Sequence, residues 1–169
     1  MKHDYDEEEI LSIIRSFCEE RVTSLAFLNG IFANISAYLY HTIEDVNWVG
    51  FYYLTNDDSL VLGPFQGEVA CLVLPKGKGV CQKAVEERTS IIVDDVHQFA
   101  THIACDSKSR SEIVIPIIAM NKVAAVLDID SPSIARFSSQ LSKILHNVGL
   151  IINSLLIENQ DYLDKPFIS

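Results

Sequence analysis

The sequence predicts an α+β sandwich: a central antiparallel sheet of about six strands, with the N- and C-terminal helices packed on one face. Three observations predict it. Apolar residues recur at helical spacing near both ends of the chain, over residues 7–40 and 133–160. Between them stand short runs rich in aromatic and β-branched residues. Those runs are separated by brief Gly, Asn, Asp and Ser turns, and strands joined by tight turns pair antiparallel. At 169 residues a single domain covering 1–169 is expected, long enough to bury one core.

Taken in order, "EEEILSIIRSFCEE" sets Ile10, Ile13, Ile14 and Phe17 on one helical stripe. "SLAFLNGIFANISAYLYHTI" continues the pattern with Leu25, Leu28, Phe32, Ile35 and Leu39. A break near Glu20–Thr23 makes these two helices, and Cys18 falls beside the first stripe as a packing residue. "NWVGFYYL" (47–54), the turn "TNDDS" and "LVLGPF" (60–65) read as strand, turn, strand. "EVACLVL" (68–74) is expected as a third strand, and a short helix should begin near Gly79 after a Gly-rich turn. "SIIVDDV" reads as the fourth strand, and a polar loop runs from about 96 to 110. "SEIVIPIIAM" and "VAAVLDID" are two more strands with a tight turn around Asn121–Lys122. A long helix is expected from Ser133 onward.

Composition narrows the function. The chain is 49% hydrophobic and 21% charged, the balance of a globular protein. Its net charge of −10 disfavours nucleic acid, which needs clustered Lys and Arg. The apolar runs "IVIPIIAM" and "GLIINSLLI" fall short of the ~18 residues of a membrane span. "MKHDYDEEEI" is acidic and lacks the apolar stretch of a secretory signal, so a cytoplasmic location is expected. In that reducing setting the four cysteines, Cys18, Cys71, Cys81 and Cys105, point to free thiols, metal binding or redox chemistry rather than a disulfide scaffold.

The chemistry-bearing residues gather late in the chain. In "VLDIDSP", Asp128 and Asp130 are two apart, so an extended strand sends both to one face with Val126. Two readings stay open: a charged edge facing solvent, or a polar pocket in which Glu112 on the neighbouring strand joins them. In a shielded pocket at least one of the three carboxyls would keep its proton near neutral pH. Cys81, at the start of a helix, is expected to have its thiol pKa lowered by the helix dipole. Cys105 lies in the polar loop and is expected to be reachable. His97, His102 and Cys105 offer zinc ligands, but H-x4-H-x2-C matches no compact zinc motif. "GKGV" alone is a weak phosphate signal, and no nucleophile elbow is present.

"NWVGFYYL", "LVLGPFQGEVAC", "GKGVC", "DVHQF", "HIACD", "SEIVIPI" and "VLDIDSP" occur in an order and spacing that resemble the free methionine-(R)-sulfoxide reductases, which are single GAF domains. The resemblance covers roughly residues 25–155. It implies Cys105 as catalytic cysteine, Cys71 as resolving cysteine and Cys81 as a third redox cysteine. It implies Glu112, Asp128 and Asp130 as substrate-binding carboxylates and Trp48 and Tyr52 as aromatic pocket wall. It further implies free methionine (R)-sulfoxide as substrate, thioredoxin as reductant, and neither metal nor organic cofactor. Amphipathic terminal helices favour a homodimer. Arg110, the alanines of "AAVLDID" and Ser138 depart from the family pattern, and Arg110 is the one placed to alter the pocket rim. The alternative reading is a GAF domain that binds a small molecule without turning it over.

Overall fold

The computed structural model describes residues 4–100 and 108–160. Helix α1 (Glu7–Phe17) starts where Asp6 accepts a hydrogen bond from the Glu9 amide, and its first turn holds three glutamates. Acids there complement the positive end of the helix. Ser24 caps α2 (Leu25–Thr42) in the same way, through the Phe27 amide. The polar break between these helices stands where the sequence places it.

Six strands follow: β1 (Trp48–Leu54), β2 (Leu60–Gly67), β3 (Val73–Leu74), β4 (Ile91–Val93), β5 (Ser111–Ala119) and β6 (Lys122–Ser131). Helix α3 (Gly79–Glu87) lies between β3 and β4, and α4 (Ser139–Glu158) comes last. The sheet order is β3-β2-β1-β6-β5-β4, and each neighbouring pair is antiparallel. This is the predicted six-stranded antiparallel sheet.

Strand alternation divides the sheet into two unequal faces. Val49, Phe51, Tyr53, Ile113, Ile115, Leu127 and Ile129 point to the side covered by α1, α2 and α4, where the main core forms. Phe32 of α2 stacks on Phe51 with ring centroids 3.9 Å apart. Cys18 packs at the edge of this core, as expected, and burial with the Glu158 charge pushes its thiol up to about 11. Helix α4 is long and apolar enough to cross a membrane by length and composition. Leu141, Leu145, Val148, Ile152 and Leu156 nevertheless bury its apolar stripe within the core. The opposite face is smaller: Trp48, Tyr52, Val114 and Val126 pack under Val80, Cys81 and Ala84 of α3.

Four boundaries differ from expectation. The third strand is only Val73–Leu74, not 68–74. Over Glu68–Leu72 the chain leaves the sheet, because side chains of β1 take its carbonyls: Trp48 Nε1 donates to Glu68 O at 3.2 Å and the Tyr52 hydroxyl to Cys71 O at 2.9 Å. Cys71 therefore sits in a loop. The fourth strand stops at Val93, and Val96–Gln98 turn into a short 3-10 helix capped by Asp95. The tight turn centres on Met120 and Asn121, both left-handed at φ 49 and 62°, as a two-residue hairpin loop requires. Helix α4 starts at Ser139 rather than near Ser133, since Ala135 is left-handed and Ser138 caps the Leu141 amide.

Candidate active site

The sheet register assembles the site. Trp48 stands opposite Asp130, Gly50 opposite Asp128, and Tyr52 opposite Val126. Glu112 stands opposite Asp130, and Val114 opposite Asp128. Residues directly opposed on antiparallel strands share a face, so three carboxylates and two aromatics of distant sequence converge on the α3 side. There they line one cavity together with Cys81, Leu74, Ser109 and the start of α3 at Lys78–Val80. The solvent-facing reading of the aspartates is thus set aside: Glu112 and Asp128 are 6% and 7% exposed, and Asp130 is half-buried.

Burial governs the electrostatics. Loss of water raises the Glu112 carboxyl well above its usual range, and the charges of Asp128 and Asp130 push it the same way. Asp128 rises to about 6 through burial, held back by hydrogen bonds with Glu112, Cys81 and the Ile129 amide. The Glu112 and Asp128 side chains share a hydrogen bond that favours the proton on Glu112, so Glu112 donates and Asp128 accepts. Two carboxyls this close and this dry do not both ionise.

The Cys81 thiol lies 4.0 Å from Glu112 Oε1. Its pKa is raised well above the ordinary value, first by burial and then by Asp128, Glu112 and Asp130. This reverses the sequence expectation of a lowered thiol pKa. Cys81 is third in α3 and near its positive end, but that dipole contributes only a fraction of a charge, against full desolvation and three acids. Cys18 and Cys81 are free thiols, whereas Cys71 is disulfide-bonded.

The aromatic wall is a stack. Trp48 lies between Phe65, at 5.3 Å between centroids, and Tyr52, at 5.8 Å. Gly50 makes room for it: a Cβ there would stand 2.4 Å from Phe65 Cβ and 2.5 Å from the Trp48 ring. Gly50→Ala is therefore expected to displace Trp48 and destabilise the fold by about 1–3 kcal/mol. Trp48 is the only tryptophan of the chain, so a lower urea midpoint should come with a red-shifted fluorescence maximum. An unchanged spectrum and midpoint would show that the strand yields without cost.

Cys105 and His102 lie outside the described residues. His97 faces Asp95, with Nδ1 3.4 Å from Oδ1, and does not line the cavity. Among the described residues, the side chains able to converge on one cation are instead Cys81, Glu112 and Asp128. Arg110 turns from the cavity toward Asp95 Oδ2, 3.8 Å away, and its neighbour Ser109 lines the cavity instead. Sequence reasoning missed Ser109, which is buried and accepts a hydrogen bond from Asn47 Nδ2 at 3.1 Å. It also missed Gly50, although a glycine inside a strand marks a close approach.

The comparisons with known proteins fall in line with this geometry. Residues 28–153 match the GAF domain family. The free methionine-R-sulfoxide reductase of Escherichia coli (strain K12) is 52% identical over 108 residues, 64% of this chain and 65% of that protein. Its Saccharomyces cerevisiae namesake is 39% identical over 128 residues, covering 72% of this chain and 71% of that protein. The chain belongs to the GAF-domain family of free methionine-R-sulfoxide reductases. The structure of fRMsr of Staphylococcus aureus in complex with substrate superposes with a TM-score of 0.82 at 41% identity, over 91% of this chain and 97% of that one. As a GAF domain, the chain builds its cavity between the sheet and the short helix α3, opposite the three long helices.

Proposed function

We propose that this protein reduces free methionine (R)-sulfoxide to methionine through a cysteine sulfenic acid and a disulfide, with thioredoxin as reductant. One observation carries the reading: Glu112 and Asp128, both buried, face a cavity walled by Trp48 and Tyr52, and burial there favours a proton on Glu112. Membership of the reductase family supports the substrate.

The substrate's α-ammonium faces Asp128 and Asp130, where desolvation strengthens an ion contact. Its carboxylate meets the open start of α3 and the Lys78 side chain at the rim. The S-methyl group rests on Trp48, whose ring face suits an apolar group carrying partial positive charge. The Cys105 thiolate attacks the sulfoxide sulfur. As the S–O bond breaks, the oxygen takes a proton from Glu112 and passes to Cys105, leaving methionine and a sulfenic acid. Cys71 condenses with that sulfenic acid, releasing water and forming a disulfide. A thioredoxin dithiol then reduces the disulfide by exchange. A cytoplasmic location supplies that reductant. Leu150 and Ile157, exposed on α4, support a homodimer.

The acids also set specificity. A peptide-bound methionine sulfoxide has no α-ammonium, and leaving buried acids unpaired costs about 3–5 kcal/mol. With thioredoxin recycling, the free R-sulfoxide is expected to yield methionine, and the peptide-bound form to react at least ~100-fold more slowly in kcat/KM. The free S-sulfoxide should give no appreciable product. Equal rates on free and peptide-bound sulfoxide would refute the ammonium contact, and tight binding without methionine would make the protein a small-molecule-binding GAF domain.

A further inference from the structure

We infer that Cys81, Glu112 and Asp128 form a binding site for a thiophilic divalent cation such as Zn2+. The three ligands come from three elements: a thiol from α3, one carboxyl from β5 and one from β6. One ligand atom of each lies within 4.8 Å of the other two, and all three side chains are buried. Cys81 Sγ and Glu112 Oε1 already stand 4.0 Å apart. A tetrahedral zinc with sulfur and oxygen ligands sets neighbouring ligand atoms about 3.5 Å apart, so side-chain movements of roughly 1 Å close the site.

A second observation points to a ligand independently of this clustering. Asp128 is 93% buried, being 7% exposed, and its Oδ1 has no hydrogen-bond partner. A buried carboxylate oxygen without a donor carries its full desolvation penalty, and a cation removes that penalty. The mixed set of one sulfur and two oxygens selects Zn2+ over Mg2+ or Ca2+, which take oxygen alone and more ligands. Asp130, close by in the same cavity, adds negative potential. Three protein ligands leave the fourth position facing the cavity, open to water. On binding, the ion replaces the thiol proton and the proton shared by the carboxyls, and both go to solvent.

Under the proposed reductase reading, the ion removes the proton donor and occupies the place of the substrate's ammonium. It therefore acts as an inhibitor competitive with the sulfoxide, reversed by a chelator.

Co2+ serves as the optical probe, titrated into the protein in its disulfide form with Cys71 bonded. One Co2+ per chain should bind with a sulfur-to-cobalt charge-transfer band, which Zn2+ abolishes by displacement. Cys81→Ser should lose the band, Asp128→Asn should weaken binding at least 10-fold, and Cys18→Ala should leave both unchanged. No band in the parent protein, or a band that survives Cys81→Ser, overturns the site. Should Cys81→Ser fail to fold, unaltered affinity in Asp128→Asn overturns it equally. The titration needs no turnover, so a failed reductase assay beside an intact band would sink only the proposed function.

Discussion

Glu112→Gln is expected to lower kcat/KM for free methionine (R)-sulfoxide by about 10²–10⁴-fold, the usual contribution of a positioned general acid, without weakening the fold. The two halves of that expectation come from the same geometry. Glu112 holds its proton and donates it to Asp128, and a glutamine amide keeps that donor in nearly the same volume. Glutamine has no acidic proton to transfer to the departing oxygen. The stability sign follows from linkage. Glu112 and Asp128 both have raised folded-state pKa values. Their contribution is fully present below about pH 4, where the unfolded carboxyls are also protonated. It is lost as pH rises through the folded values, about 6 for Asp128 and well above the ordinary carboxyl range for Glu112. The glutamine variant lacks the Glu112 part of that loss. Urea titrations at pH 5 and pH 8 should therefore show the variant gaining on the parent at the higher pH. A parallel fall in both stability and activity would mean that the glutamate is structural and the proton comes from elsewhere.

The site's carboxylates were legible because strand periodicity is a local property. Asp128 and Asp130 alternate with Leu127 and Ile129, and that fixes one polar and one apolar face before any partner is known. Which face would be dry was not legible: α3 covers it, and Cys81 of α3 lies forty-seven residues in sequence from Asp128 of β6, which it meets there. The same limit explains Glu68–Leu72. "EVACLVL" has strand composition, but its fate is decided by Trp48 and Tyr52, whose polar atoms claim two of its carbonyls. Ile134 and Phe137 extend the apolar spacing of α4, yet Ser138 offers a cap and the helix begins after it. Cys81 is the sharpest case. Its place in a helix is local and argues for a low pKa, while Glu112, thirty-one residues away in sequence, and Asp128 argue more strongly for a high one.

On the proposed mechanism, that inversion separates the roles of the cysteines. If Cys105 is the nucleophile proposed above, Cys105→Ser should give no methionine even in a first turnover. Cys71→Ser should release one methionine per chain in a burst and then stall, with thioredoxin-linked turnover at least ~100-fold down. Cys81 is a poor substitute for the missing thiol. At the ordinary value of 9.0, only about one thiol in a hundred is a thiolate at pH 7, and burial among three acids makes that fraction smaller still. Since the thiolate is the nucleophile, disulfide formation through Cys81 is slow by at least that factor. Cys81→Ser should accordingly cost less than about 10-fold in turnover, through altered packing beside Glu112 rather than through lost redox chemistry. Product quantified over the first second and at steady state distinguishes the three variants. If Cys81→Ser stalled after one methionine and Cys71→Ser did not, the resolving thiol would be the one in α3. The Cys81 thiol would then have to give up its proton against burial and the charges of Asp128, Glu112 and Asp130 before each disulfide could form.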